Sequence, residues 1–138
     1  MEFFRWKSDY SVRIDIIDEQ HKKLLALINE LYTAFTNKTD TVVMQKILDS
    51  LIDYTNYHFG TEEKLFKESG YLLENEHIQL HKKFVEQLTG FLEEFKSGKL
   101  FVTSRLMNFL RNWLINHIQK EDQKYSIHIS EYLKTINS

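Results

Sequence analysis

The chain has 138 residues, 18 basic against 20 acidic for a net charge of −2, six histidines, no cysteine and no proline. That length suits a single domain with a substantial core, and the missing cysteines exclude a disulfide scaffold, a thiolate nucleophile and Cys-ligated zinc or iron–sulfur sites. The balanced charge leaves no footprint for nucleic acid, and apolar runs of only a few residues leave no segment for membrane insertion. Residues 1–17 mix aromatic and polar side chains and read as an irregular N-terminal arm; Met1–Lys7 lacks the apolar stretch of a signal peptide, so a cytoplasmic protein is expected. A first apolar stripe at helical spacing follows in Leu24, Leu25, Ile28, Leu31, Tyr32 and Phe35, with Asp18 as its expected N-cap. A second runs through Met44, Ile47, Leu48, Leu51 and Thr55 and resumes at Leu65 and Phe66. The third holds Leu73, Leu80, Phe84, Leu88, Phe91, Leu92 and Phe95, and the fourth Val102, Leu106, Phe109, Leu110, Trp113 and Leu114. Short polar breaks separate them at Asn37–Asp40, Ser69-Gly70 and Ser97-Gly98-Lys99, with Gly70 suited to a left-handed helix end. The absence of proline allows uninterrupted helices of about 18–27 residues each. Short links make consecutive helices antiparallel. The expected fold is all-α: one domain, an up-down-up-down four-helix bundle over 18–122, and a short C-terminal helical extension over 123–138. That extension carries Tyr125, Ile129, Tyr132, Leu133 and Ile136, either as a separate helix or as a continuation of the fourth.

Polar residues interrupt these stripes. His21 lies on the apolar face of the first helix. His58 and Glu62 fill the gap in the second stripe, His77 and His81 sit in the third, and His117 continues the fourth. His128 stands outside the pattern and reads as a surface histidine. A lone histidine on an apolar face is usually just a hydrogen-bonded core residue. Five imidazoles and a carboxylate in one core are costly without a common partner, and a metal provides one. His58/Glu62 and His77/His81 are i,i+4 pairs, so each shares a helix face. The residues fall early, late, early and late in successive helices, which places them at one depth in an antiparallel bundle. Asp122 follows His117 by five residues and falls about 140° away on a regular helix. A local irregularity, or a helix end, is expected where it turns inward.

Seven ligands are too many for one tetrahedral zinc and suit two bridged metals. Imidazole with carboxylate suits iron. Oxidising di-iron sites in bundles are carboxylate-rich. Five neutral imidazoles against two carboxylates disfavour high-valent iron and favour a mild, reversible site.

The segments Ile17-Asp18-Glu19-Gln20-His21, Tyr57-His58-Phe59-Gly60-Thr61-Glu62-Glu63, His77-Ile78-Gln79-Leu80-His81 and Trp113-Leu114-Ile115-Asn116-His117-Ile118, with Asp122 beyond, resemble the hemerythrin family in its single-domain bacterial form. The resemblance covers about residues 6–125. It implies an oxo- or hydroxo-bridged pair of irons, one held by His77, His81 and His117, the other by His21 and His58, with Glu62 and Asp122 bridging. It also implies a dioxygen pocket lined by Leu24, Phe59, Trp113, Leu114 and Ile118, and supporting contacts from Gln20 and Tyr125. The expected function is reversible dioxygen binding for storage, transport or delivery by a monomer that is not an enzyme. A sensor of oxygen, nitric oxide or redox state acting through a separate partner is an alternative, and so is a di-iron peroxidase-like enzyme. The partners expected are dioxygen and either an oxygen-consuming enzyme or a signalling protein.

Overall fold

A computed structural model describes residues 4–98 and 102–136. Among them a 3-10 turn, Ser8–Tyr10, precedes α1 (Asp15–Thr36), α2 (Thr41–Ser69), α3 (Glu74–Lys96) and α4 (Val102–Asn116). A π turn (His117–Glu121) then leads directly into α5 (Asp122–Ile136). The fourth helix and the extension are therefore one continuous rod with a π turn inside it. Residues 1–3 of the expected arm, Lys99 of the third link and residues 137–138 of the extension lie outside the described residues.

The helices pack α1 on α2, α2 on α3, α3 on α4 and α4 on α1, which closes a four-helix ring; α5 returns to α2. Asp40 caps α2, its carboxylate accepting from the Val42 N–H at 2.7 Å. Gly70 ends that helix at φ 69° and ψ 41°, in the left-handed region that a side chain would strain. No helix among the described residues is long and apolar enough to cross a membrane.

Two expectations about helix starts are corrected. Asp18 is not the N-cap of the first helix, which begins three residues earlier at Asp15 with Ile14 at the cap position. Asp18 instead accepts from the Val12 N–H (2.9 Å) and the Ser11 hydroxyl (2.6 Å), pinning the arm to α1. Leu73, read as part of the third stripe, is the N-cap of α3 and is 43 % exposed. The apolar period does not carry back across the turn.

The apolar interior comes in two parts. The larger fills the ring and includes Leu24, Ile28, Leu48, Phe59, Phe84, Leu110, Leu114 and Ile118. The smaller lies under the arm and α5 and contains Val12, Ile14, Ile17, Phe66, Tyr71, Tyr125 and Ile129. Along α1 the smaller cluster supplies Ile17 and the larger Leu24; along α2 they supply Phe66 and Phe59. His21 lies between the first two positions and Glu62 between the second two, with His58 adjacent to Phe59. The fold therefore holds a buried polar layer between two apolar ones.

Candidate metal centre

All seven side chains expected as ligands are in that layer. His21, His58, Glu62, His77, His81, His117 and Asp122 are each at most 4 % exposed. Their ligand atoms fall into two groups, within each of which all lie within 4.8 Å of one another. One contains His77, His81 and His117, the other His21 and His58, and Glu62 and Asp122 belong to both.

Asp122 reaches the layer because the backbone changes pitch just before it. Its N–H bonds to the His117 carbonyl, an i→i+5 bond, and this wider turn absorbs the residue that would otherwise swing Asp122 off the face. The two oxygens of Asp122 then serve different groups. Oδ2 lies 3.0 Å from His21 Nε2, and Oδ1 lies 3.0 Å from both His77 Nε2 and His117 Nε2. Glu62 Oε1 sits between the groups, 3.1 Å from His58 Nε2 and 3.3 Å from His81 Nε2.

These short distances do not make a satisfied hydrogen-bond network. His21 Nε2, His81 Nε2, Glu62 Oε1 and both oxygens of Asp122 are buried without a hydrogen-bond partner. The Nε2 atoms of His77 and His117 face each other across 3.1 Å. Buried polar atoms are ordinarily paired, so such a cluster of orphans is a large penalty for a metal-free core. The donor set fits a pair of metal ions, each able to draw on nitrogen lone pairs and on an oxygen of a shared carboxylate.

Outer contacts fix which imidazole nitrogen is free. The Thr61 hydroxyl donates to the Tyr57 carbonyl at 3.3 Å and accepts from Gln20 Nε2 at 3.1 Å. Gln20 Oε1 therefore faces His58 and accepts from its Nδ1–H at 2.7 Å. That leaves the His58 Nε2 lone pair directed at the layer. Tyr125, carried by α5, donates its hydroxyl proton to Glu62 Oε2. Gln20 and Tyr125 thus touch the candidate ligands.

The expected pocket residues divide. Leu24, Phe59, Leu114 and Ile118 are buried in the larger cluster, with Trp113 packed against it. The Phe59 ring lies flat on His81 at 3.7 Å and 5.9 Å from His58, and Trp113 lies flat on His117 at 4.1 Å. Both aromatics therefore press against the three-histidine group. His128 is not a bare surface residue: it is half-buried, its Nε2 hydrogen-bonds the Ser69 carbonyl at 2.9 Å, and its ring lies 5.6 Å from Tyr71. One close partner of the site escaped the sequence reading. Glu63 accepts from His81 Nδ1 at 2.8 Å.

Electrostatics follow the geometry. Burial opposes the charge of Asp122, yet His117 first, then His21 and His77, hold its carboxyl well below the usual range. Burial and Asp122 push Glu62 up, but His58 and His81 outweigh them and lower it. Burial pulls His81 down, yet Glu62 and Glu63 raise it to about 9. Burial lowers His58 despite Glu62. Burial, reinforced by the charges of Asp122 and Glu62, raises Tyr125 well above the ordinary phenol range, so it keeps the proton it donates.

A pH prediction follows. Without metal, His81 carries a proton below about pH 9, and a metal must displace it. Metal uptake near neutrality should release at least one proton per chain. Through this group, affinity should rise about tenfold per pH unit and level off above pH 9. Calorimetric titration in buffers of different ionisation enthalpy counts that proton; uptake with no proton release would contradict the assignment. For the metal-free fold the sign is opposite. A raised histidine stabilises below its unfolded value of about 6.5, and that contribution is lost as pH rises through about 9.

Comparison with known proteins agrees with this geometry. The family description "Hemerythrin HHE cation binding domain" matches residues 12–126. Bacteriohemerythrin of Stenotrophomonas maltophilia is 32 % identical over 133 residues, 96 % of this chain and 86 % of the relative. Bacteriohemerythrin of Methylococcus capsulatus is 32 % identical over 91 % of this chain and 95 % of its own. Among solved structures, wild-type hemerythrin superposes with a TM-score of 0.84 at 32 % identity, covering 93 % of this chain and 98 % of that one. A point variant of hemerythrin gives 0.87 at 29 %, covering 94 % and 99 %. With the buried histidine and carboxylate layer in the same ring of four helices, this chain belongs to the hemerythrin family.

Proposed function

We propose that the chain binds a pair of iron ions in the buried layer and uses them to bind dioxygen reversibly. The observation that carries this reading is the composition of the two ligand groups: five imidazoles, and two carboxylates that belong to both. When bound, the iron pair supplies one electron from each metal to dioxygen and recovers both on release.

The protein's own residues make that exchange reversible. Asp122 and Glu62 would each contribute to both metal positions, and each carboxylate is itself held in place. Asp122 is set by the π turn, and Glu62 by the Tyr125 hydroxyl. Gln20 holds His58 in one tautomer. Leu24, Phe59, Leu114 and Ile118, with Trp113 against them, form the apolar side of the layer and exclude water and anions. The neutral imidazole majority does not stabilise the higher oxidation states that substrate oxidation needs, so we infer a carrier rather than an enzyme.

The stoichiometry of uptake tests this. Protein loaded anaerobically with ferrous iron should hold two irons per chain and take up one dioxygen per pair. Continuous oxygen consumption would indicate an oxidase, and iron well above two per chain would indicate storage; either overturns the proposal.

A further inference from the structure

Each histidine group has an imidazole supported from behind, and the two supports differ in charge. In the two-histidine group the support is the neutral amide of Gln20, itself buried, at 2.7 Å from His58 Nδ1. In the three-histidine group it is the carboxylate of Glu63, at 2.8 Å from His81 Nδ1. Glu63 is 34 % exposed. It faces an open groove of about 1040 Å³ between α2 and α3, shared with Phe59, Lys82 and Lys83. The groove leaves the Glu63 carboxylate partly open to solvent, while His81 behind it is only 2 % exposed. The His81 ring lies flat on Phe59 with 5° between the planes, and the Nδ1 contact with Glu63 orients it. Its Nε2 therefore stays directed at Glu62 and the layer.

We propose that Glu63 is a charged positioning residue that strengthens the three-histidine metal position relative to the one supported by Gln20. The physical link is polarisation through the ring. An anionic acceptor draws the Nδ1 proton and raises electron density on Nε2, making it a stronger donor; a neutral amide does so much less. The metal next to His81 is then held more tightly, and its ferric form is favoured over its ferrous form. The inference rests on the dinuclear reading above.

The test uses the metal-free chain, titrated with Co²⁺ under argon against a competing chelator. Wild type should take up two equivalents of unequal affinity. Glu63→Gln keeps the size of the side chain and an acceptor oxygen but removes the charge. It should weaken the tighter equivalent by roughly tenfold, the lower end of what outer partners of ligand histidines contribute, and leave the other unchanged. In the iron-loaded protein the same variant should raise the reduction potential of one iron only. A tenfold change in the ferric-to-ferrous ratio corresponds to about 59 mV for one electron. Glu63→Asp should restore part of both effects. A residue that merely props the ring would give wild-type behaviour in Glu63→Gln. Unchanged Co²⁺ affinities and potentials in that variant therefore overturn the proposal. Wild-type protein that takes up fewer than two Co²⁺ would overturn the dinuclear reading itself, and the two failures are told apart by the wild-type titration.

Discussion

Asp122→Ala should cost the protein both metals, with a larger loss of affinity than the roughly 10–100-fold typical of an outer partner. The reason is that Asp122 gives one oxygen to each histidine group: Oδ2 to His21, Oδ1 to His77 and His117. Removing it leaves three buried imidazoles without their common anion. In the metal-free protein, losing one member of a buried charged cluster typically costs about 3–5 kcal/mol. Asp122→Asn separates the two effects. It preserves the shape and should fold, yet it cannot supply an anionic oxygen to both positions. Metal analysis after gel filtration, beside urea unfolding of the same samples, checks both. An Asp122→Ala protein that retains two irons would show that the carboxylate is a structural residue.

Phe66→Ala should be the most destabilising apolar truncation. The side chain is fully buried, and its ring lies 4.8 Å from His77, 5.1 Å from Tyr71 and 5.2 Å from Tyr125. Phenylalanine truncation in a core costs about 3–5 kcal/mol, through lost burial and the cavity left behind. Here the cavity opens between the smaller apolar cluster and the metal layer. The variant should therefore also loosen Tyr125, and with it the hold on Glu62 Oε2. The expected result is a lower urea midpoint for the metal-free protein, with stability partly recovered on loading with metal. A loss below about 1 kcal/mol would contradict the packing described.

Most of the site was legible from periodicity because five of the seven candidate ligands lie on α1 to α3 and His117 directly follows α4. His58 with Glu62 and His77 with His81 share a face at i,i+4 spacing, and burial of that face follows from the apolar residues around it. Asp122 was legible only as a conflict between residue type and regular helix geometry, and the π turn resolves it. Such turns occur often at functional sites, so a polar residue one position out of register in an apolar stripe is itself a signal. Glu63 carried no such signal. It lies one residue beyond Glu62, about 100° around the helix and off the His58/Glu62 face. Its contact with His81 depends on how α3 packs against α2. His128 failed for a similar reason, since its bond to Ser69 exists only because α5 returns to the end of α2. Asp18 was recognised as a carboxylate that accepts backbone N–H groups. The donor proved to be the arm at Val12, not the first turn of α1, because the helix starts earlier at Asp15.

The optical spectrum of the iron-loaded protein, followed through repeated cycles of air and argon, tests the central claim most directly. With two ferrous ions per chain in a dry layer of five imidazoles, a visible band should appear with air, vanish under argon and return with little loss over several cycles. A spectrum that does not respond to air, or one that changes on first exposure and never reverts, would contradict reversible dioxygen binding.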